Sequence, residues 1–147
     1  MNKVIVSVVG VQTDVYGEEN RIELVTVGRR QLKNGINYIT YHDSQSYGMD
    51  GTDTLLKVGG DCVTLVRKGR VEHTQKFKRR ETNSSLYRTP YGDMTLTILT
   101  NNLDICFGAV SGTIDISYDL MVDGQWQSAN HLYIKVCADN NVCRAIN

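Results

Sequence analysis

Apolar and polar residues alternate with period two along most of this chain, and no helical period persists over a dozen residues. Val4, Val6 and Val8 share one parity, as do Ile114, Ile116, Tyr118, Leu120 and Val122, and Leu132, Ile134 and Val136. The alternation is broken at short intervals by Gly, Asn and Asp, which is the pattern of strands joined by turns. Asn34-Gly35 and Asp123-Gly124 are the strongest turn signals, because both residues of such a pair readily adopt positive φ. The connections leave no room for crossover helices, so neighbours in sequence should be antiparallel neighbours in space.

Strands are expected over 3–16, 21–31, 36–44, 52–59, 62–68, 71–79, 85–90, 92–100, 103–108, 112–122 and 126–137, with a charged and polar loop at 80–84 and a turn at Asn101-Asn102. Gly10 and Gly28 fall inside long strands, where glycine marks a bulge or a bend. Such a long meander must protect its edges, and full closure does that best. The fold class expected is therefore all-β, a single closed antiparallel up-and-down barrel of about 8–10 strands over residues 1–137. Residues 138–147 read as a polar C-terminal tail. A two-sheet sandwich is the alternative.

Pro90, the only proline of the chain, sits with Gly92 in Tyr87-Arg88-Thr89-Pro90-Tyr91-Gly92-Asp93-Met94 and turns it between two of these strands. The same bend places Tyr87 and Thr89 near one barrel rim.

Lys plus Arg and Asp plus Glu each number 16 in a chain of 147 residues, a balance without the basic footprint of a nucleic-acid binder. The basic run Lys76-Phe77-Lys78-Arg79-Arg80 reads as a solvated strand edge. No apolar run approaches the roughly 18 residues of a membrane helix. The first ten residues read as a strand rather than a signal peptide, so a cytoplasmic protein is expected. The four cysteines, Cys62, Cys106, Cys137 and Cys143, are expected to be reduced and structural. Cys137 and Cys143 meeting across a turn, or sharing a metal, is the minor alternative. No metal or cofactor is expected, because His42, His73 and His131 show no ligand spacing.

In a barrel alternate residues face the lumen. Arg67 is the informative exception, since it follows Val63 and Leu65 in phase with a core face. A buried charge needs a carboxylate, a carbonyl or a ligand anion. Two readings stand side by side. Arg67 could lie at a strand end, its stem covering apolar surface and its head reaching water or Asp43. It could equally belong to a pocket for a small polar or anionic ligand in the barrel mouth, lined by Arg67, Tyr41, Asp43, Tyr87, Thr89 and Tyr118, with Thr100 in phase nearby. His73 could serve as a general base, but a lone histidine in phase with a core face is commonly a satisfied structural residue. No nucleophile elbow, paired carboxylates or His-Glu-x-x-His motif is present, so the reading leans away from an enzyme.

Leu65-Val66-Arg67-Lys68-Gly69, Tyr87-Arg88-Thr89-Pro90-Tyr91-Gly92, Thr100 and Gly112-Thr113-Ile114-Asp115-Ile116-Ser117-Tyr118-Asp119-Leu120 together resemble the ordered signature of a bacterial family of unknown function, DUF1934, the YwiB-like proteins. Tyr41 and Asp43 sit where that family tends to carry a tyrosine and a glutamate, with Asp43 departing from the usual residue. The resemblance spans roughly residues 1–137 and implies a calycin-like, lipocalin-like barrel. It implies no activity and assigns no catalytic residue. Two functions are carried forward: a non-enzymatic binder of a small ligand, and an interaction module, such as a homodimer through outward Val25, Val27 and Leu99.

Overall fold

The computed structural model describes residues 2–42, 52–69 and 71–138. Ten antiparallel strands follow one another in a meander: β1 (Asn2–Asp14), β2 (Glu19–Lys33), β3 (Ile36–His42), β4 (Thr52–Val58), β5 (Cys62–Gly69), β6 (His73–Lys78), β7 (Thr82–Thr89), β8 (Gly92–Phe107), β9 (Ser111–Val122) and β10 (Gln125–Ala138). The spatial order is β6-β5-β4-β3-β2-β1-β10-β9-β8-β7. The chain therefore pairs its first strand with its last. The two strands left at the ends, β6 and β7, then come together to make a nearly closed barrel. Among the described residues their backbones meet at a single bridge, Glu72 with Arg88, which exchange N–H···O bonds of 3.0 and 2.9 Å.

Period-two alternation decides which side chains line the inside. Val4, Val6, Ile39, Leu56, Val63, Ile98, Leu103, Ile114, Ile116, Ile134 and Val136 form one continuous buried cluster drawn from β1, β3, β4, β5, β8, β9 and β10. Burial of that apolar surface, at about 25 cal/mol per Å², drives closure and fixes register, because a one-residue slip would turn every inward side chain outward.

The turns follow their residue types. Asn34 and Asp123 have φ of 53° and 49°, each followed by a positive-φ glycine. Thr89 pairs with Gly92 around Pro90-Tyr91, as the proline-glycine spacing implies. Elsewhere the structure differs from the sequence expectation. Asn101-Asn102 is not a turn. It is a register irregularity between Thr100 and Asn102 within one long strand β8, so two expected strands are one. Two polar asparagines look alike in a turn and in a bulge, and the apolar pattern on both sides stays continuous. Residues 82–84, expected in a loop, begin β7. Gly28 marks neither bulge nor bend. A Cβ there would lie 2.6 Å from the Thr40 carbonyl, so the glycine lets β2 and β3 approach closely.

Cys62 and Cys106 are free, whereas Cys137 is disulfide-bonded, which corrects the expectation of four reduced thiols. Pairing depends on how closely two Cα atoms approach in space, which sequence spacing alone does not give.

Candidate functional site

Two arginines point into the barrel, and their surroundings differ. Arg30 closes one end. Its Nε donates to Asn37 Oδ1 at 2.8 Å and an Nη donates to the Gly108 carbonyl at 2.7 Å. Its guanidinium carbon lies 5.1 Å from the centroid of the Phe107 ring, a cation–π contact. Phe107 can lie there because the residue beneath it is Gly112, where a Cβ would sit 2.3 Å from the ring. The sequence reading overlooked Arg30, although it shares parity with Gly28, the buried residue two positions earlier.

Arg67 has no such partners. It faces inward on β5, in register with Thr54 on β4 and His73 on β6. Its Nε is buried without a hydrogen-bond partner. No carboxylate is found among the described buried residues. Its positive charge reaches two neighbours. It helps hold His73 in the neutral form and partly opposes the upward push of burial on the Tyr118 phenol.

Three further buried polar atoms lack partners: Thr52 Oγ1, Asn83 Nδ2 and Thr100 Oγ1. With Arg67 Nε they lie on β4, β7, β8 and β5, the strands on either side of the β6–β7 seam. The register links them. Thr52 is two residues from Thr54, the partner of Arg67. Thr100 pairs with Tyr118, and Asn83 pairs with Ile98, two residues along β8 from Thr100. The Tyr118 ring packs against Phe77 at 5.2 Å. An unpaired buried polar group costs about 1–3 kcal/mol, so such groups are ordinarily few and scattered. Here all four lie on strands that flank the seam.

The seam itself is laced by side chains. His73 Nε2 lies 2.8 Å from Ser85 Oγ, which donates to Gln75 Oε1 at 2.8 Å, and Gln75 Nε2 donates to the Lys76 carbonyl. Because the Ser85 proton is directed to Gln75, His73 must donate through Nε2. Tyr87 adds an edge-on ring contact with His73 at 5.2 Å. Burial, then the Arg67 charge, lower the His73 pKa to about 4. This is the satisfied structural histidine of the sequence reading. A serine that hands its proton to an amide is not an activated nucleophile. A shallow cleft of about 390 Å³ runs over the seam, lined by Glu72, His73, Ser85 and Arg88.

Of the residues expected to line the pocket, Arg67, Tyr87 and Tyr118 share this region. Tyr41 faces inward and is buried in the core cluster. Thr89 does not join them: its hydroxyl donates to the Gly92 carbonyl at 2.9 Å and accepts the Tyr91 N–H at 3.1 Å, so it serves the turn. Asp43 lies outside the described residues. Thr100 was legible from its phase. Thr52 shares the parity of Thr54 and Leu56 and could have been found so. Asn83 was hidden by the misread loop. Among the described residues no group of His, Cys, Asp and Glu could hold a metal ion.

The model of a domain of unknown function, DUF1934, matches residues 6–134. The chain belongs to that family. A relative, the uncharacterized β-barrel protein YwiB of Bacillus subtilis (strain 168), is 25% identical over 118 residues, covering 80% of this chain and 82% of that protein. The crystal structure of the ywiB protein from Bacillus subtilis superimposes with a TM-score of 0.85 at 22% identity, covering 95% of this chain and 93% of that one. The likeness establishes the ten-strand barrel of this DUF1934 member and leaves its activity open.

Proposed function

We propose that this DUF1934 protein is a non-enzymatic binder of a small polar ligand, held at the Arg67 end of the barrel. The observation that carries this reading is the partnerless buried Nε of Arg67, with three further partnerless buried polar atoms on the strands that flank the seam. Unpaired polar atoms of this kind are costly in the free protein and become favourable when a ligand satisfies them. Arg30 supplies the internal contrast, since the same residue type at the other end is bonded and stacked.

Native mass spectrometry of freshly purified protein tests the reading. A discrete small-molecule adduct on the wild type that disappears in Arg67→Met supports it. An adduct-free wild type, together with a crystal structure in which side chains fill the space around Arg67, contradicts it.

A second reading rests on the outer face of β2, where Val25 and Val27 are 71% and 48% exposed. Those residues suit a homodimer contact. Sedimentation of a Val25→Lys variant separates the two: a wild-type dimer that this change dissociates favours the interface.

A further inference from the structure

We propose that the ligand group received beside Arg67 is an oxyanion, a carboxylate or a phosphate carried by a small molecule. This rests on the binding reading above and narrows it to one chemistry. The hydrogen-bonding inventory of the orphan atoms is the first argument. Arg67 Nε and Asn83 Nδ2 can only donate, and the hydroxyls of Thr52 and Thr100 are each able to donate. A ligand group that meets these atoms must therefore present acceptors, as an oxyanion does.

Charge is the second argument. An arginine guanidinium is a permanent positive charge. The described buried polar residues are Asn37, Thr52, Thr54, His73, Gln75, Thr100 and Ser128, without a carboxylate among them. Glu72, adjacent to His73 in the chain, is exposed on the outer face. Among the described residues, the charge at this end is thus that of Arg67, and it acts on both His73 and Tyr118. A cationic ligand would meet repulsion, and a neutral amide would leave the charge unpaired.

Geometry is the third. The Arg67 Nε is buried and unbonded, and Nε–H with a neighbouring Nη–H is the edge of an arginine that pairs side-on with a carboxylate or phosphate. Thr100 is fully buried and Thr52 is 1% exposed, so their hydroxyls sit on rigid strands rather than on mobile loops. The Phe77 and Tyr118 rings offer an apolar wall for the remainder of the molecule.

Isothermal titration at constant ionic strength tests the inference with four solutes: inorganic phosphate, benzoate, the neutral isostere benzamide, and chloride as the ionic control. Saturable one-to-one binding of phosphate or benzoate is expected, with neither benzamide nor chloride giving a comparable signal. Which of the two binds more tightly distinguishes a phosphate from a carboxylate source. Arg67→Met should weaken binding about tenfold or more, and Thr100→Val by a few-fold. The urea midpoint of each variant confirms that it is folded. Oxyanion binding that survives in folded Arg67→Met overturns the inference. So does benzamide binding as well as benzoate, a result that leaves the broader ligand-binding reading standing. An adduct in native mass spectrometry with no response to either oxyanion also removes the oxyanion and keeps the site. Failure of every solute, with no adduct, removes both.

Discussion

His73 Nε2 and Ser85 Oγ meet at 2.8 Å across the seam where β6 and β7 share only the Glu72–Arg88 backbone bridge. Side chains lace the seam closed, and Gln75 completes the chain of bonds. Ser85→Ala leaves the buried His73 N–H and the Gln75 carbonyl without partners. A loss of about 1–3 kcal/mol is expected from urea unfolding. Amide exchange should accelerate first in β6 and β7, because opening there breaks the fewest backbone bonds.

Acid should weaken the protein through His73. Its folded pKa is about 4, below the ordinary histidine value of 6.5, so the unfolded chain binds the proton more readily. This contribution is fully present above pH 6.5 and is lost as pH falls towards 4. Discounted for solvent screening at the seam, the loss is about 2 kcal/mol. Unfolding free energies measured from pH 7 to pH 4 should show this slope in the wild type and a shallower one in His73→Gln.

The two inward arginines should respond in opposite ways to removal of charge. Arg30→Met forfeits bonds to Asn37 and Gly108 and the stack on Phe107, at a cost of about 2–3 kcal/mol. Arg67→Met removes a charged group whose buried Nε has no hydrogen-bond partner among the described residues, so stability should be unchanged or higher. Chemical denaturation of the two variants side by side gives the comparison.

Close packing predicts two intolerant glycines. An added methyl at Gly112 meets the Phe107 ring, and one at Gly28 meets a backbone carbonyl that cannot swing aside. Gly28→Ala and Gly112→Ala should each cost about 1–3 kcal/mol in thermal or urea unfolding.

Much of the barrel is legible in the sequence because period-two burial and paired turn residues are local signals. Asn34-Gly35 and Asp123-Gly124 set their hairpins, and the inward parity of Ile114, Ile116 and Tyr118 holds through β9. What is not legible depends on distance in space. Asn101-Asn102 has the composition of a turn, and only the pairing with β9 makes it a bulge. Arg67 announces itself by parity, but its lack of a partner follows from the whole set of buried residues around it. Thr89 looked equivalent to Tyr87 by position. Its hydroxyl is taken by the turn that Pro90 and Gly92 create. The pairing of Arg30 with Phe107 spans β2 and β8 and has no local signature.

The central claim is that Arg67 Nε–H waits unpaired inside the barrel for an oxyanion. Its side-chain NMR resonance, assigned by its loss in Arg67→Lys, reports on that atom directly during a titration with benzoate or phosphate. A saturable downfield shift of the Arg67 Nε–H signal, with the Arg30 signal unmoved, is the predicted result. An Arg67 signal that stays in place while surface arginines drift together with added salt would contradict the account.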